Sequence, residues 1–411
     1  MDMIPRTEYL DWLDEFRDKP LVKVLTGLRR SGKSTILDMF MSRLSDSGIE
    51  SSRILKINFE LLENEPLLDY KKLYSHIVEK KNGANPLYVF LDEIQHVKSY
   101  EKVVDSLLAR GGFDIYITGS TADLLSSELA TLLTGRYVEV NVLPLSFKES
   151  VWDVTVTVES QKRLFMDYLM YGGLPGARMF SNGSAAQREY VESVFKTILE
   201  KDVLKRGGKG RELVERIIRY MTATVGSLTS PRRLTDRLAA EKAAQNSRQE
   251  AYNTVVSYLQ RLTDCYFMYK ADRFDVVGGE HLKQINKYYL TDFGFSHYIL
   301  HNPTMELQQL VENVVYLELK RRRLKVSTGK VDDREVDFVV QGRDGNLCYV
   351  QVAVSVSSRE KLAQELAVFG AIRDNYPKYL LTLDEVFVPD HDGVKTLNVI
   401  DFLLGKVNIS L

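Results

Sequence analysis

Gly27-Leu28-Arg29-Arg30-Ser31-Gly32-Lys33-Ser34 reproduces the pattern GxxxxGK[ST] between an apolar run at 21–25 and a helical pattern at 35–44. A strand, a glycine-bounded loop and a helix in that order imply an α/β sheet with the loop at a strand's carboxyl end. The glycines let backbone N–H groups turn inward, and the helix behind them presents the positive end of its dipole, so the segment is suited to enclosing phosphates. Residues Gly27 to Ser34, with Thr35, are therefore the expected nucleotide-binding set. Lys33 is expected on the β- and γ-phosphates and Ser34 on Mg²⁺. The absence of an NKxD guanine motif favours ATP.

A second segment, 87–91, reads as a buried parallel strand and ends in Asp92-Glu93. At that position Asp92 is suited to hold Mg²⁺ through water and Glu93 to orient the water that attacks the γ-phosphate. Alone, the pair also reads as an acidic helix cap; alongside Lys33 it reads as catalytic. The run 113–118 alternates like a strand and ends at Gly119-Ser120, where the hydroxyl is expected to sense the γ-phosphate or cap a helix. Thr134-Gly135-Arg136 follows an amphipathic helix. Arg136 is expected either to supply transition-state charge, in cis or from a neighbouring subunit of a homo-oligomer, or to form a surface ion pair.

At 411 residues the chain predicts two to three domains. Its net charge of -1 neither suggests nor excludes a polyanionic partner. Two cysteines, Cys265 and Cys348, are too few for a disulfide scaffold or a cysteine metal site and fit a reducing cytosol. The acid-bearing N-terminus is unlike a secretory signal, and no apolar stretch approaches the ~20 residues needed to span a bilayer. A cytoplasmic protein without a membrane partner is expected. His297 and His301 have helical spacing but lack the HExxH glutamate and a third ligand, so they predict no metal site.

The expected fold class is α/β: a P-loop NTPase parallel sheet, then a helical/winged-helix module and a C-terminal restriction-endonuclease-like α/β domain. The corresponding boundaries are 1–150 for the ATPase domain, 151–207 for a helical lid or connector, 208–300 for the winged-helix-like module and 301–411 for the nuclease-like domain. Strands are expected at 21–25, 53–59, 87–91, 114–118 and 137–142. Tyr171-Gly172-Gly173-Leu174-Pro175 reads as a turn between helices, and Gly207-Gly208-Lys209-Gly210 as a joint.

The module at 208–300 has helices at 212–225 and 230–241, and a third opened by a Ser247/Glu250 capping box. Arg248, Gln249, Asn253, Ser257, Gln260 and Arg261 on the third helix are side chains able to read DNA. Packing against the neighbouring domain is the other reading. Runs at 265–273 and 284–291 would form the wing. Lys320-Arg321-Arg322-Arg323 with Lys325 is the densest basic patch, facing phosphates or solvent.

In the last segment a helix at 309–322, strands at 325–328, 335–341 and 347–355, a helix at 359–375 and a strand at 378–382 suggest a nuclease-like core. Glu312, Asp337 and Gln351 would converge there. An active site of that kind needs an acid and, two residues on, a lysine, but Gln351 and Ala353 occupy those places. The domain is therefore expected to be catalytically inactive.

The order of motifs resembles a family of bacterial and archaeal AAA-like ATPases that join an N-terminal P-loop domain to a C-terminal domain of unknown function. Its carriers are GLRRSGKST at Gly27 to Thr35, LDEIQ at Leu91 to Gln95, TGS at Thr118 to Ser120, GRYVEVNVLPLSF at Gly135 to Phe147, YGGLP, and YYLTDFG at Tyr288 to Gly294. The resemblance implies an ATPase in which Lys33, Ser34, Asp92 and Glu93 carry nucleotide, metal and catalysis, Ser120 matches the sensor position and Arg136 the GR motif. Three functions follow as expectations: an ATP-driven switch or motor coupled to DNA or a protein partner, a nucleotide-gated regulatory module without significant turnover, and an ATP-dependent nuclease.

Overall fold

The computed structural model describes residues 3–83, 85–121, 124, 133–204, 210–240, 248–300, 305–385 and 390–411. Gly207, Gly208, Lys209, Ser247 and His301 lie outside them, as do the side chains of Arg248, Gln249 and Glu250. The chain forms two compact units, one of Met1–Pro144 with Asp264–Tyr266, the other of Leu145–Thr263 and Phe267–Leu411.

In the first unit α1 (Thr7–Glu15) precedes β1 (Val22–Thr26), α2 (Lys33–Asp46), β2 (Ile54–Asn58), α3 (Tyr70–Lys80), β3 (Leu87–Asp92), α4 (Tyr100–Arg110), β4 (Phe113–Thr118) and β5 (Tyr137–Asn141). All five expected strands form, in one parallel sheet of order β2-β3-β4-β1-β5. Alternate residues of each strand feed opposite faces. Val22, Val24, Val89, Leu91, Ile115 and Ile117 join one core, while Leu25, Tyr88, Phe90, Tyr116 and Val140 join the other with Trp12, Ile36 and Phe40. Strand β4 thus lies between β1 and β3, so its carboxyl end separates the P-loop from Asp92.

At the opposite end of this sheet Lys23 and Asp114 form an ion pair that is almost wholly buried. Asp114 also accepts from the Tyr116 hydroxyl at 2.8 Å and the Asp18 amide at 3.0 Å. Burial lowers the pKa of Lys23, against the pull of Asp114. Lys23→Ala strands a buried carboxylate and is expected to cost about 3–5 kcal/mol, whereas Lys23→Met with Asp114→Leu recovers most of that loss. Urea denaturation of the two variants checks this, and equal midpoints would reject it.

The second unit begins with α5 (Phe147–Ser150), α6 (Val158–Tyr171), α7 (Ala185–Ile198), α8 (Arg211–Ala223), α9 (Pro231–Ala240) and α10 (Arg248–Asp264). After β6 (Met268–Asp275), β7 (Glu280–Leu290) and α11 (Gly294–Leu300) come α12 (Leu307–Arg321), β8 (Lys325–Val331), β9 (Arg334–Gln341), β10 (Leu347–Ala353), α13 (Arg359–Leu366), β11 (Lys378–Thr382), β12 (Val394–Asn398) and α14 (Val399–Leu403). Its sheet has the order β12-β11-β10-β9-β8-β6-β7. The hairpin read as a wing therefore continues the C-terminal sheet, through parallel pairing of Arg273 to Asp275 with Thr328 to Lys330. A division at 300 falls inside this hydrogen-bonded sheet. The helix expected to reach residue 375 ends at Leu366, and β12 has no counterpart among the expected strands.

The YGGLP turn is more than a bend. Buried Asp292 accepts from the Gly173 amide at 2.7 Å and the Gly294 amide at 2.9 Å, clasping YGGLP to the TDFG segment. A Cβ on Gly172 would overlap this carboxylate, and Gly172 has φ +76°. Burial pushes Asp292 up to about 7, against the backbone donors. The basic patch is partly consumed within the unit. Arg321 pairs with Glu149 and Glu318, and Arg322 pairs with Glu318 and lies over the Phe402 ring. Among the described residues no helix is long and apolar enough to cross a membrane.

Candidate nucleotide and metal site

The loop from Gly27 to Gly32 turns at the end of β1 and delivers Lys33 as the first residue of α2. Its tightness has a steric cause. Gly27 has φ +138°, and a Cβ there would lie 2.3 Å from the Val142 carbonyl oxygen. Arg6 supports the loop from below, donating to the carbonyls of Ser31 at 3.1 Å and Leu143 at 2.7 Å. Gly32 and Arg30 also have positive φ, at 101° and 68°. Leu28 and Ser31 are buried, whereas Arg30 is exposed. Thr35 lies in the first turn of α2 and is also exposed. The Lys33 ammonium donates to the carbonyls of Gly27 at 2.9 Å and Leu28 at 3.2 Å.

The ends of β3 and β4 bring the expected acids to this loop. Asp92 Oδ1 accepts from Ser34 Oγ at 3.0 Å and Thr118 Oγ1 at 2.6 Å, and Oδ2 accepts from Asn58 Nδ2 at 3.2 Å. Burial raises the pKa of Asp92 against these hydroxyl donors, and the Glu93 charge adds to the rise. A desolvated carboxylate beside a hydroxyl is a hard-oxygen donor set suited to a divalent cation, so the residues fit Mg²⁺.

Glu93 behaves oppositely. Burial would raise its pKa, but Lys33, a hydrogen bond from Gln95, Arg29 and a hydrogen bond from Ser120 together hold it below the usual glutamate value. Its carboxylate lies 3.9 Å from the Lys33 ammonium. Its amide donates to Thr118 Oγ1 at 2.9 Å, and its backbone is left-handed at φ 55°, ψ 48°. Backbone strain held by neighbouring contacts is typical of functional positions.

Ser120 is fully buried, and its Oγ accepts from Arg29 Nη2 at 3.3 Å. Lys33, Ser34, Asp92, Glu93 and Ser120 are thus assembled around one loop. Arg136 is not: it immediately precedes β5, its carbonyl accepts from the Val22 amide, and its guanidinium pairs with Asp105 at 2.8 Å. That is the amino end of a parallel sheet, one strand length or roughly 15 Å from the P-loop. Sequence reasoning missed Thr118, Asn58 and Gln95, although Thr118 stands inside the TGS motif and Gln95 inside LDEIQ.

The second unit holds a different acidic cluster. Lys287 of β7 reaches Glu312 at 2.9 Å, Glu335 at 2.7 Å and Asp337 at 3.5 Å. Gln351 accepts from the Asp337 amide at 3.2 Å and donates to Glu365 at 2.8 Å. Glu312, Asp337 and Gln351 do converge, with a lysine contributed from a strand far from Ala353. Burial and the Asp337 charge push Glu312 up to about 7, against the pull of Lys287. Among the described residues no group of three histidine, cysteine or acidic side chains is arranged to hold a metal ion.

Comparison with known proteins places these observations in a family. Residues 19–151 match an AAA domain, and residues 162–306 match a domain of unknown function. An uncharacterized protein of Haemophilus influenzae is 34% identical over 98% of this chain and 99% of its own length. Another, from Methanocaldococcus jannaschii, is 27% identical over 89% of this chain and 82% of its own. Among solved structures, the Walker-type ATPase of Pyrococcus abyssi aligns over 73% of this chain and 97% of its own at 20% identity, with a TM-score of 0.42.

Proposed function

The chain belongs to the AAA-like P-loop ATPases, and from that premise we propose that it hydrolyses ATP with Mg²⁺ and uses the cycle as a switch on a macromolecular partner. The observation that carries this reading is the placement of two adjacent carboxylates, Asp92 at the Ser34 hydroxyl and Glu93 near the Lys33 ammonium. Asp92 sits beside Ser34 with a raised pKa, and Glu93 is kept ionised next to Lys33. The Ser34 hydroxyl and the Asp92 carboxylate together suit a cation, and the ionised Glu93 carboxylate suits the orientation of a water. Mg²⁺, when bound by Ser34 and Asp92, neutralises charge on the β- and γ-phosphate oxygens.

Glu93 orients a water whose oxygen attacks the γ-phosphorus. The bond to the β,γ-bridging oxygen breaks, ADP leaves with the electron pair, and the water proton passes by way of Glu93 to the phosphate product. Lys33 abandons the loop carbonyls for the phosphates, and Ser120 steadies Glu93.

For the partner, the exposed arginines of two adjacent helices favour nucleic acid. Arg219 of α8 and Arg232, Arg233 and Arg237 of α9 are exposed, and Arg237 lies over Tyr220 of α8. Exposed guanidinium groups suit a phosphate backbone. The decisive experiment is steady-state ATP hydrolysis with and without duplex DNA at low and moderate salt. Turnover that requires Mg²⁺, rises with DNA and loses that rise at higher salt is expected. Lys33→Ala should weaken ATP binding at least ~10-fold by removing the ammonium from the phosphates. Turnover indifferent to DNA would move the partner assignment to a protein, and no turnover at all would leave a nucleotide-gated module.

A further inference from the structure

Transition-state charge on the γ-phosphate calls for a cation beyond Lys33, and Arg136 stands at the wrong end of the sheet to supply it within its own chain. Arg29 stands at the right one. It is the third residue of the P-loop, its side chain is only 12% exposed, and its two terminal nitrogens point to different partners. Nη1 pairs with Glu60 Oε1 at 3.2 Å, just beyond the end of β2, and Nη2 donates to Ser120 Oγ at 3.3 Å, just beyond the end of β4. Ser120 in turn donates to Glu93, and the Arg29 charge acts on that same carboxylate. The guanidinium therefore lies between the segments that follow β2 and β4, near the water-orienting glutamate, which the Lys33 ammonium also approaches to 3.9 Å.

We propose that Arg29 is the arginine that contacts the γ-phosphate and carries its transition-state charge within the same chain, with Glu60 as its counter-ion before nucleotide binds. The assignment rests on the hydrolysis reading above. Glu60 is 44% exposed, and an ion pair with so exposed a carboxylate has little strength. A γ-phosphate offers the same guanidinium a charged, multidentate acceptor and repels Glu60. As the bond to the β,γ-bridging oxygen breaks, charge on the phosphoryl oxygens stays within reach of the planar fork. Release of Glu60 also gives the segment after β2 a way to register ATP as distinct from ADP.

The test compares the wild type with Arg29→Ala, Arg29→Lys and Glu60→Gln. Arg29→Ala should lower kcat by ~10² or more, the scale of losing an arginine at this chemistry. It should keep ADP affinity within about threefold, since ADP lacks the phosphate that Arg29 contacts, and this also reports a folded site. It should also fail to trap ADP with aluminium fluoride. Arg29→Lys should recover little of the rate, because a point charge lacks the fork.

Glu60→Gln should tighten ATP binding relative to ADP; an unchanged ratio of ATP to ADP affinity would overturn the counter-ion role. Mixing Arg29→Ala with Lys33→Ala protein should restore nothing, and recovered turnover would overturn action in cis. Wild-type turnover matched within about threefold by Arg29→Ala would remove the Arg29 assignment alone. A wild type without turnover would remove the hydrolysis reading and this one together.

Discussion

Glu93→Gln is expected to bind ATP as the wild type does and to hydrolyse it ~10²–10⁴-fold more slowly, the range for removal of a positioned base. Lys33, Gln95, Arg29 and Ser120 hold the carboxylate ionised despite its burial, and all four act on its negative charge. Glutamine keeps the shape and the left-handed backbone but surrenders that charge, so water loses its base while the phosphate loses a repulsive neighbour. ATP affinity should be retained or rise.

The pH dependence separates the two acids. Because the Glu93 pKa is lowered, its ionised form persists as pH falls below the ordinary glutamate range, so it does not set the acid limb of the rate. Asp92, whose pKa is raised, loses its charge first on acidification. Cation binding competes with that proton, so the acid limb should move to lower pH as Mg²⁺ is raised. Single-turnover hydrolysis with parallel nucleotide titration measures both effects. Normal turnover in Glu93→Gln would reject the assignment, and an acid limb indifferent to Mg²⁺ would reject the role given to Asp92.

The chemistry of the site was legible where it is local in the chain. The P-loop spacing, the apolar run ending in Asp92-Glu93 and the alternation ending at Ser120 each carry their own signal, and the structure brings them together. Strand order carries no local signal, because 113–118 reads as a strand wherever it is placed in the sheet. Its insertion between β1 and β3 is what gives Thr118 both an Asp92 oxygen and the Glu93 amide. Asn58 ends, and Glu60 follows, a β2 whose pattern shows a strand but not its neighbours. Arg136 stands apart for the same reason: the GR motif lies near the site in sequence order, yet a parallel strand starts at the sheet's far end, where Arg136 forms the surface ion pair with Asp105.

The second unit was read less well because its decisive contacts span long stretches of chain. Runs at 265–273 and 284–291 do form a hairpin, but pairing of β6 with β8 makes it part of a seven-stranded sheet. That continuation delivers Lys287 into the group of Glu312, Glu335 and Asp337, where no spacing rule built on Gln351 and Ala353 would look for it. The basic run at 320–323 has a comparable fate. Arg321 and Arg322 are drawn to Glu149, Glu318 and the Phe402 ring, so a stretch that reads as an anion-binding surface is in part an internal brace.

Gly27→Ala should abolish measurable nucleotide binding and destabilise the first unit by about 3 kcal/mol or more, as expected when overpacking adds to backbone strain. The added methyl would meet the carbonyl oxygen of Val142 at 2.3 Å, with the Val142 carbonyl carbon at 3.1 Å and nitrogen at 3.2 Å. These are backbone atoms, so no rotamer change relieves the contact. The Val142 amide donates to the Thr26 carbonyl at 2.7 Å, which prevents that segment from retreating without loss of β1–β5 pairing. Movement of the loop instead would displace the Gly27 carbonyl that holds Lys33, and the Ser31 carbonyl tied by Arg6 to Leu143. Either route spoils the phosphate cradle.

Gly48→Ala isolates the conformational part of this cost. Gly48 has φ +88°, with nothing within 4 Å of an added Cβ, so its replacement should cost only about 1 kcal/mol and leave nucleotide binding unchanged. Thermal denaturation and ADP titration of the two variants make the comparison. If Gly27→Ala matches Gly48→Ala in both readouts, the close approach of Gly27 to Val142 does not shape the phosphate site, and the loop's geometry must be held from elsewhere.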